Sequence, residues 1–286
     1  MTFKESLTTL PQYLLPHHPL SRLMRQLTHS ENKAWKNFFI TQIANHYGVN
    51  MQEAFDSDIN AYPSFNHFFT RELKPGARTI ANQAGNIACP ADGAVSQAGD
   101  ITDGNIIQAK GKSYTAVDLL GGDEQRATPF KNGKFTTIYL SPKDYHRLHM
   151  PLDGTLKEMV HVPGRLFSVN AATANSVPRL FARNERVVAI FDTEVGPMAL
   201  VLVGAIFVAS IETVWHGEVT PPTAKSIQTW QYKDNAPQLK RGEELGRFNM
   251  GSTIIALFGK DAMNWESTFV TGQKVQLGEQ IGSTGK

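Results

Sequence analysis

The sequence has one cysteine, Cys89, among 286 residues. No intrachain disulfide can form and no cysteine-based metal cluster can be built, which fits a reducing compartment or a surface facing the cytoplasm. An excess of charge of one sign is also missing. With 28 basic residues against 26 acidic the formal charge is +2, too small a bias to expect nucleic acid as a partner. Neither a GxGxxG nor a P-loop string occurs, so no phosphate cradle for a dinucleotide or nucleotide is expected. The opening stretch, MTFKESLTTLPQYLLPHHPL, lacks the continuous apolar core and small-residue cleavage site of a signal peptide. One uncharged run, Val195 to Ile211, has 17 residues with Pro197 and Gly204 inside it. That is the lower edge of a bilayer-spanning length. Its β-branched content and central glycine predict two buried strands meeting at a turn rather than a membrane helix.

The charge that is present is unevenly placed. Residues 1–48 carry Lys4, Arg22, Arg25, Lys33 and Lys36 against Glu5 and Glu31, so the positive excess sits in the first sixth of the chain. About the first 80 residues read as helical. Leu20, Leu23, Met24 and Leu27 fall at i, i+3, i+4, i+7, one face of a helix. A second helix is expected from an N-cap at Ser30, through Trp35, Phe38, Phe39, Ile43 and Tyr47, to a stop at Gly48. A short third would carry Phe65, Phe68 and Phe69 before Pro75-Gly76. An isolated apolar stripe usually faces a core. The first one, beside Pro11, Pro16, Pro19, Tyr13, Leu14, Leu15 and paired basic residues, equally suits a helix lying in a membrane interface with arginine near anionic headgroups.

From about residue 86 the texture changes to short strands, such as 135–141, 186–192, 199–204 and 252–258. Asp92-Gly93, Asn132-Gly133, Asp153-Gly154 and Pro163-Gly164 punctuate this part of the chain as turns. The expected fold is α+β: a mainly β core, sandwich- or barrel-like, under a helical N-terminal cap. The boundary falls near residue 80, between a helical region, 1–80, and a β-rich one, 81–286.

Four segments could carry chemistry: ACPADGAVS around Asp92, YLSPKDYHRLHMP with His146 and His149, VPGRLFSVN with Ser168, and GRFNMGSTIIALF with Gly251 and Ser252. Each alone is ambiguous. Asp92-Gly93 is first a turn signal. His146 and His149 lack a third ligand at metal spacing, so no metal is expected. Gly-Ser-Thr before an apolar run is commonly a glycine turn entering a strand. Together Asp92, His149 and Ser252 supply acid, base and hydroxyl, a trio recognised by geometry and not by order in the chain.

These segments, with SFNHFFTREL (64–73), LFARNERVV (180–188) and VGAIFVASIETVW (203–215), resemble the phosphatidylserine decarboxylase family in its bacterial membrane-associated branch. The likeness runs over nearly the whole chain, in order and at matching separations. Met250 stands where the family's cleavage motif usually has leucine, a swap close in volume and polarity.

The resemblance implies a proenzyme that cuts itself between Gly251 and Ser252 into chains of residues 1–251 and 252–286. Ser252 would attack the Gly251 carbonyl, where the missing Cβ lets the nucleophile approach, with His149 as base and Asp92 orienting it. Ser252 would end as a pyruvoyl group, the electron sink for decarboxylation. The resemblance further implies that His146 serves the decarboxylation step and that Ser168 holds the substrate. Its substrate would be phosphatidylserine in an anionic membrane, the enzyme a peripheral one on the cytoplasmic face of the cell membrane, and the assembly a homodimer of two-chain units. Arg147 reads as a structural ion-pair partner and Cys89 as a buried apolar residue. A second Gly-Ser-Thr, Gly282-Ser283-Thr284, reads as a frayed tail. Two other functions stay open from the residues: a lipoyl- or phosphocarrier-like module, and a pyruvoyl decarboxylase of another serine lipid. The first would need a lysine presented in a tight hairpin or a single exposed histidine.

Overall fold

The structure, a computed structural model, describes residues 3–206, 210–220, 225–249 and 253–285. It is α+β, with more strand than helix and open sheets rather than a closed barrel. Helices α1 (Phe3–Leu14), α2 (His17–Thr28), α3 (Lys33–Tyr47) and α4 (Phe65–Phe69) form the N-terminal part. The cap of α3 is Asn32 and not the expected Ser30: its side chain accepts from the Trp35 N–H at 3.1 Å. Gly48 ends the helix at φ 69°, a left-handed position that favours glycine. Ser64 caps α4, and Phe65, Phe68 and Phe69 pack with Ile40 of α3 and Tyr62 into a small aromatic core.

Helix does not run through all of residues 1–80. Between α3 and α4 the polar side chains bond the local backbone instead. Asn50 accepts from Gln52 N–H and Asp58 from Asn60 N–H, at 3.1 and 2.9 Å, the competition that breaks helices at such residues.

Nearly all the strands lie in antiparallel sheets. The largest runs in the spatial order Gln228–Gln231, Gly154–Val162, Arg186–Thr193, Gly196–Val203, Thr253–Phe258, Lys134–Tyr139, Gly93–Asp100, Lys274–Val275. Its middle strands are buried on both faces. Ile254, Ala256 and Phe258 enter one apolar cluster while Ile255 and Leu257 enter the other, as the two-residue period of a strand requires. This double burial explains the uncharged run. Gly196–Val203 is a central strand, Ile211–Thr213 belongs to another sheet, and residues 207–209 between them lie outside the described residues. Among the described residues no helix is long and apolar enough to cross a membrane.

α2 is inverted relative to an ordinary surface helix. It buries His17, Ser21 and Thr28, while Leu23 is 54% and Leu27 36% exposed. In α1, Leu10 and Leu14 are 60% and 89% exposed. The apolar stripe is therefore not core. Polar contacts, with the Tyr13 and His17 rings set edge-on to Phe167, hold these helices down. His17 Nδ1 accepts from the Leu166 N–H, Gln12 accepts from the Ser168 N–H, and Arg25 forms a two-pronged ion pair with Glu218. Arg25 is thus turned toward the protein, against the expectation that it faces headgroups.

Candidate active site

Backbone pairing brings the candidate residues together. The strand Arg147–His149 pairs antiparallel with Glu244–Phe248, His149 opposite Glu244 and Arg147 opposite Arg247. One step further, the Phe248 N–H donates to the His146 carbonyl at 3.0 Å. Both histidines are therefore zipped to the strand that leads into residue 249. On the far side of the junction, Thr253 sits between Tyr139 and Val203 in the central sheet. Met250, Gly251 and Ser252 lie outside the described residues. Asp92 is drawn in by a third link, the His149 N–H donating to the Pro90 carbonyl at 2.9 Å.

The approach to the junction is clamped. Asn249 is buried; its side chain donates to Ser210 Oγ and to Glu212 Oε1 and accepts from Asn66 Nδ2. Its own N–H donates to the Ser210 carbonyl. A side chain with this many partners holds Asn249 itself in one place.

Hydrogen-bond partners assign the protons on both imidazoles. His146 Nδ1 lies 2.8 Å from the Asp144 carbonyl, which can only accept, so Nδ1 carries the hydrogen. Nε2 is then a lone pair, buried and without a partner among the described residues. Burial, with the Arg71 charge nearby, pushes the pKa of His146 down to about 3, and Phe69 packs on its ring at 4.0 Å. His149 follows the same logic. Nδ1 donates to the Gly242 carbonyl at 2.8 Å, and Nε2 accepts from the Tyr145 hydroxyl at 3.1 Å. Burial lowers its pKa as well, so it too is neutral and basic at Nε2. Tyr145 stays protonated because burial raises its own pKa.

Asp92 is not hydrogen bonded to His149. Its carboxylate takes both prongs of Arg78, at 3.0 and 2.5 Å, and the Leu277 N–H at 2.8 Å. Arg78 also reaches Glu53 at 2.7 Å. The group that orients His149 here is the Gly242 carbonyl. Sequence reasoning missed Glu53, Arg78 and Gly242 and gave Tyr145 no role. None sits in a periodic pattern or a motif of its own, and their partners are 14 or more residues away along the chain for Arg78–Asp92 and His149–Gly242.

Arg147 pairs with Glu72 and Glu244 and donates to the Thr70 carbonyl, the structural role expected of it. Cys89 is fully buried and its thiol donates to the Ala91 carbonyl. Ser168 sits under α1, its N–H on Gln12, and no hydrogen bond links it to the two histidines among the described residues. Ser283 corrects an expectation: it is not in a frayed tail. Gln280–Ser283 is a strand paired with Asn86–Ala88 on one side and Asn264–Trp265 on the other, pinned by buried Ile281. Among the described residues no cluster of His, Cys, Asp and Glu could hold a metal ion.

The sequence profile described as phosphatidylserine decarboxylase matches residues 65–283, and a second, described as PSD, matches residues 7–48. The chain is 57% identical to the phosphatidylserine decarboxylase proenzyme of Pseudomonas entomophila (strain L48) over 281 residues, 97% of this chain and 98% of that one. The similarly named proteins of Marinobacter nauticus and Ectopseudomonas mendocina are 54% and 55% identical, with 97% and 98% of this chain covered and 98% and 99% of theirs.

Proposed function

The chain belongs to the phosphatidylserine decarboxylase family, and from that membership we propose how its residues process the proenzyme and decarboxylate phosphatidylserine to phosphatidylethanolamine. The observation that carries the assignment of roles is the pairing of Arg147–His149 with Glu244–Phe248. It sets two neutral imidazoles beside the strand that enters the Gly251–Ser252 junction.

Self-cleavage begins when the Ser252 hydroxyl attacks the Gly251 carbonyl carbon, converting the amide to an ester. A base must take the hydroxyl proton. His149 Nε2 is held in the basic tautomer by the Gly242 carbonyl, and the Tyr145 hydroxyl on that nitrogen can be displaced by, or relay from, the serine. Asp92, paired with Arg78, adds a field that favours the imidazolium formed at His149. Elimination at Ser252 then breaks the ester and frees the Gly251 carboxylate. Hydrolysis with loss of ammonia leaves a pyruvoyl group at the head of residues 252–286.

The surroundings suit such a group, because His146 offers a buried acceptor with no partner among the described residues on the segment bonded to Phe248. A pyruvoyl group there would supply the electron sink for the pair left behind by CO2. His146 Nε2, a neutral acceptor, takes a hydrogen bond from the substrate's amine N–H and orients it at the decarboxylation step. Residues 1–80 act as the membrane-docking region and 81–286 as the catalytic one. The exposed leucines of α1 and α2 favour peripheral attachment to the cytoplasmic face of an anionic membrane.

Intact mass under denaturing conditions, with CO2 release from phosphatidylserine, tests the proposal. The wild-type protein should give two chains and release CO2. Ser252→Ala should remain one inactive chain, while Ser283→Ala should mature. Two chains from Ser252→Ala would sink the assignment.

A further inference from the structure

A cavity of about 480 Å³ opens beside Asp92 and Tyr145, with Arg71, Tyr139, Lys143 and Lys274 in its walls. Arg71 is 4% exposed. Its Nη2 donates to the Lys143 carbonyl at 3.0 Å and its guanidinium lies over the Phe68 ring at 5.6 Å. Its Nε and Nη1 have no partner among the described residues. Leaving charged N–H donors buried and unmade is costly. Arg78, in the same wall, shows the usual solution, with Asp92 and Glu53 both bound to it.

The wall holds three carboxylates, Glu53, Asp92 and Asp144, against Arg71, Arg78, Lys143 and Lys274. With Glu53 and Asp92 engaged by Arg78, Asp144 is the remaining carboxylate, and it accepts from Ser141 N–H and Oγ. Lys143 and Lys274 are exposed and join no ion pair among the described residues. Two unmade donors on a buried guanidinium, with two lysines at the rim, suit an oxyanion. The reacting carboxylate is the wrong candidate. Pairing it with a buried arginine would stabilise the charged ground state over the transition state that is losing that charge. The mouth of the cavity includes Gly48 at the end of α3, next to Tyr47 and on the helix that exposes Phe38, so the site opens beside apolar surface.

We propose that this cavity is a phosphate subsite, anchored by Arg71 with Lys143 and Lys274 at its rim, that holds the phosphodiester of the lipid headgroup during decarboxylation. The headgroup as ligand rests on the function proposed above; the anion site does not.

Inorganic phosphate and glycerophosphoserine are titrated by calorimetry onto borohydride-treated protein, for the wild type, Arg71→Met and Lys143→Ala/Lys274→Ala. Both ligands should bind the wild type, compete with each other, and weaken about tenfold or more in Arg71→Met, the scale of a lost charge-assisted contact. The double variant changes only exposed positions, so it decides the matter if Arg71→Met does not fold, and it should also weaken both ligands. Failure of inorganic phosphate to bind the wild type, or unchanged phosphate binding in the double variant, overturns the subsite. Phosphate that glycerophosphoserine cannot displace leaves the anion site standing and overturns the headgroup as its ligand. CO2 release by the wild type is scored separately, so a failed subsite is distinguishable from a failed decarboxylase assignment.

Discussion

At the scale of single residues, the two histidines differ in what occupies Nε2: a tyrosine hydroxyl on His149 and nothing described on His146. His149→Ala and Asp92→Ala should stay uncleaved. His146→Ala should mature, carry a ketone that borohydride reduces, and release CO2 about 10²-fold more slowly, the scale of a lost positioned acid or base. Failure of His146→Ala to cleave would end this division of labour. Tyr145→Phe makes a finer test. The hydroxyl stabilises neutral His149, so its loss should raise that pKa and move the acid limb of the self-cleavage profile to higher pH. Stability should follow pH as well. His146 has a pKa of about 3 in the folded protein against 6.5 for the free side chain, so the unfolded chain binds the extra proton in that window. The contribution is complete above 6.5 and lost as pH falls toward 3, by up to about 1.4 kcal/mol per pH unit. Denaturant melts of wild type and His146→Gln between pH 4 and pH 7, where roughly that slope operates, should show a shallower decline in the variant.

At the scale of elements, the inverted α2 and the strand Glu244–Phe248 make separate demands. Exposed leucines contribute little to folding, so changing Leu10, Leu14 and Leu23 to serine should leave the melting temperature nearly unchanged, each within about 0.5 kcal/mol. The same changes should weaken sedimentation with anionic liposomes, as should deletion of residues 1–28. Liposome binding that survives both would show that the helices face something other than a bilayer. Phe68, fully buried beside Arg71, contrasts with them: Phe68→Ala should cost about 3–5 kcal/mol. Gly246 matters for another reason. A Cβ there would run into the Glu212 carbonyl across the pair with Ile211–Thr213. Gly246→Ala should therefore shift the strand that leads to Asn249 and slow self-cleavage, read as precursor remaining on denaturing gels.

At the scale of the whole molecule, the proposed small chain is built into the centre of the large one. Thr253–Phe258 is buried throughout and lies between Lys134–Tyr139 and Gly196–Val203. Lys274–Val275 extends the same sheet at its edge, and Gln280–Ser283 binds Asn86–Ala88. Cutting before Thr253 leaves every pairing among the described residues in place, so the two chains should elute together from a native sizing column and separate only in denaturant. A small chain that dissociates without denaturant would contradict this topology.

Local pattern was enough to read the β core, α2 and α4. Burial on both sheet faces writes an uninterrupted apolar run, and a helix writes its period of 3.6, each within a few residues of chain. The roles of Asp92, His146, His149, Gly251 and Ser252 came from resemblance, which is also a property of the sequence. Pairings across long stretches of chain could not be read that way. That Arg78 meets Asp92, that Gly242 sets the tautomer of His149, that α2 buries its polar face, and that Arg71 keeps two nitrogens unpaired among the described residues all depend on strands and loops far apart in sequence. An ion pair or a carbonyl contact needs only one residue of the right type on each side, and such residues are common everywhere along the chain. Which of them meet is decided by the register of the sheets and by what their packing excludes from water.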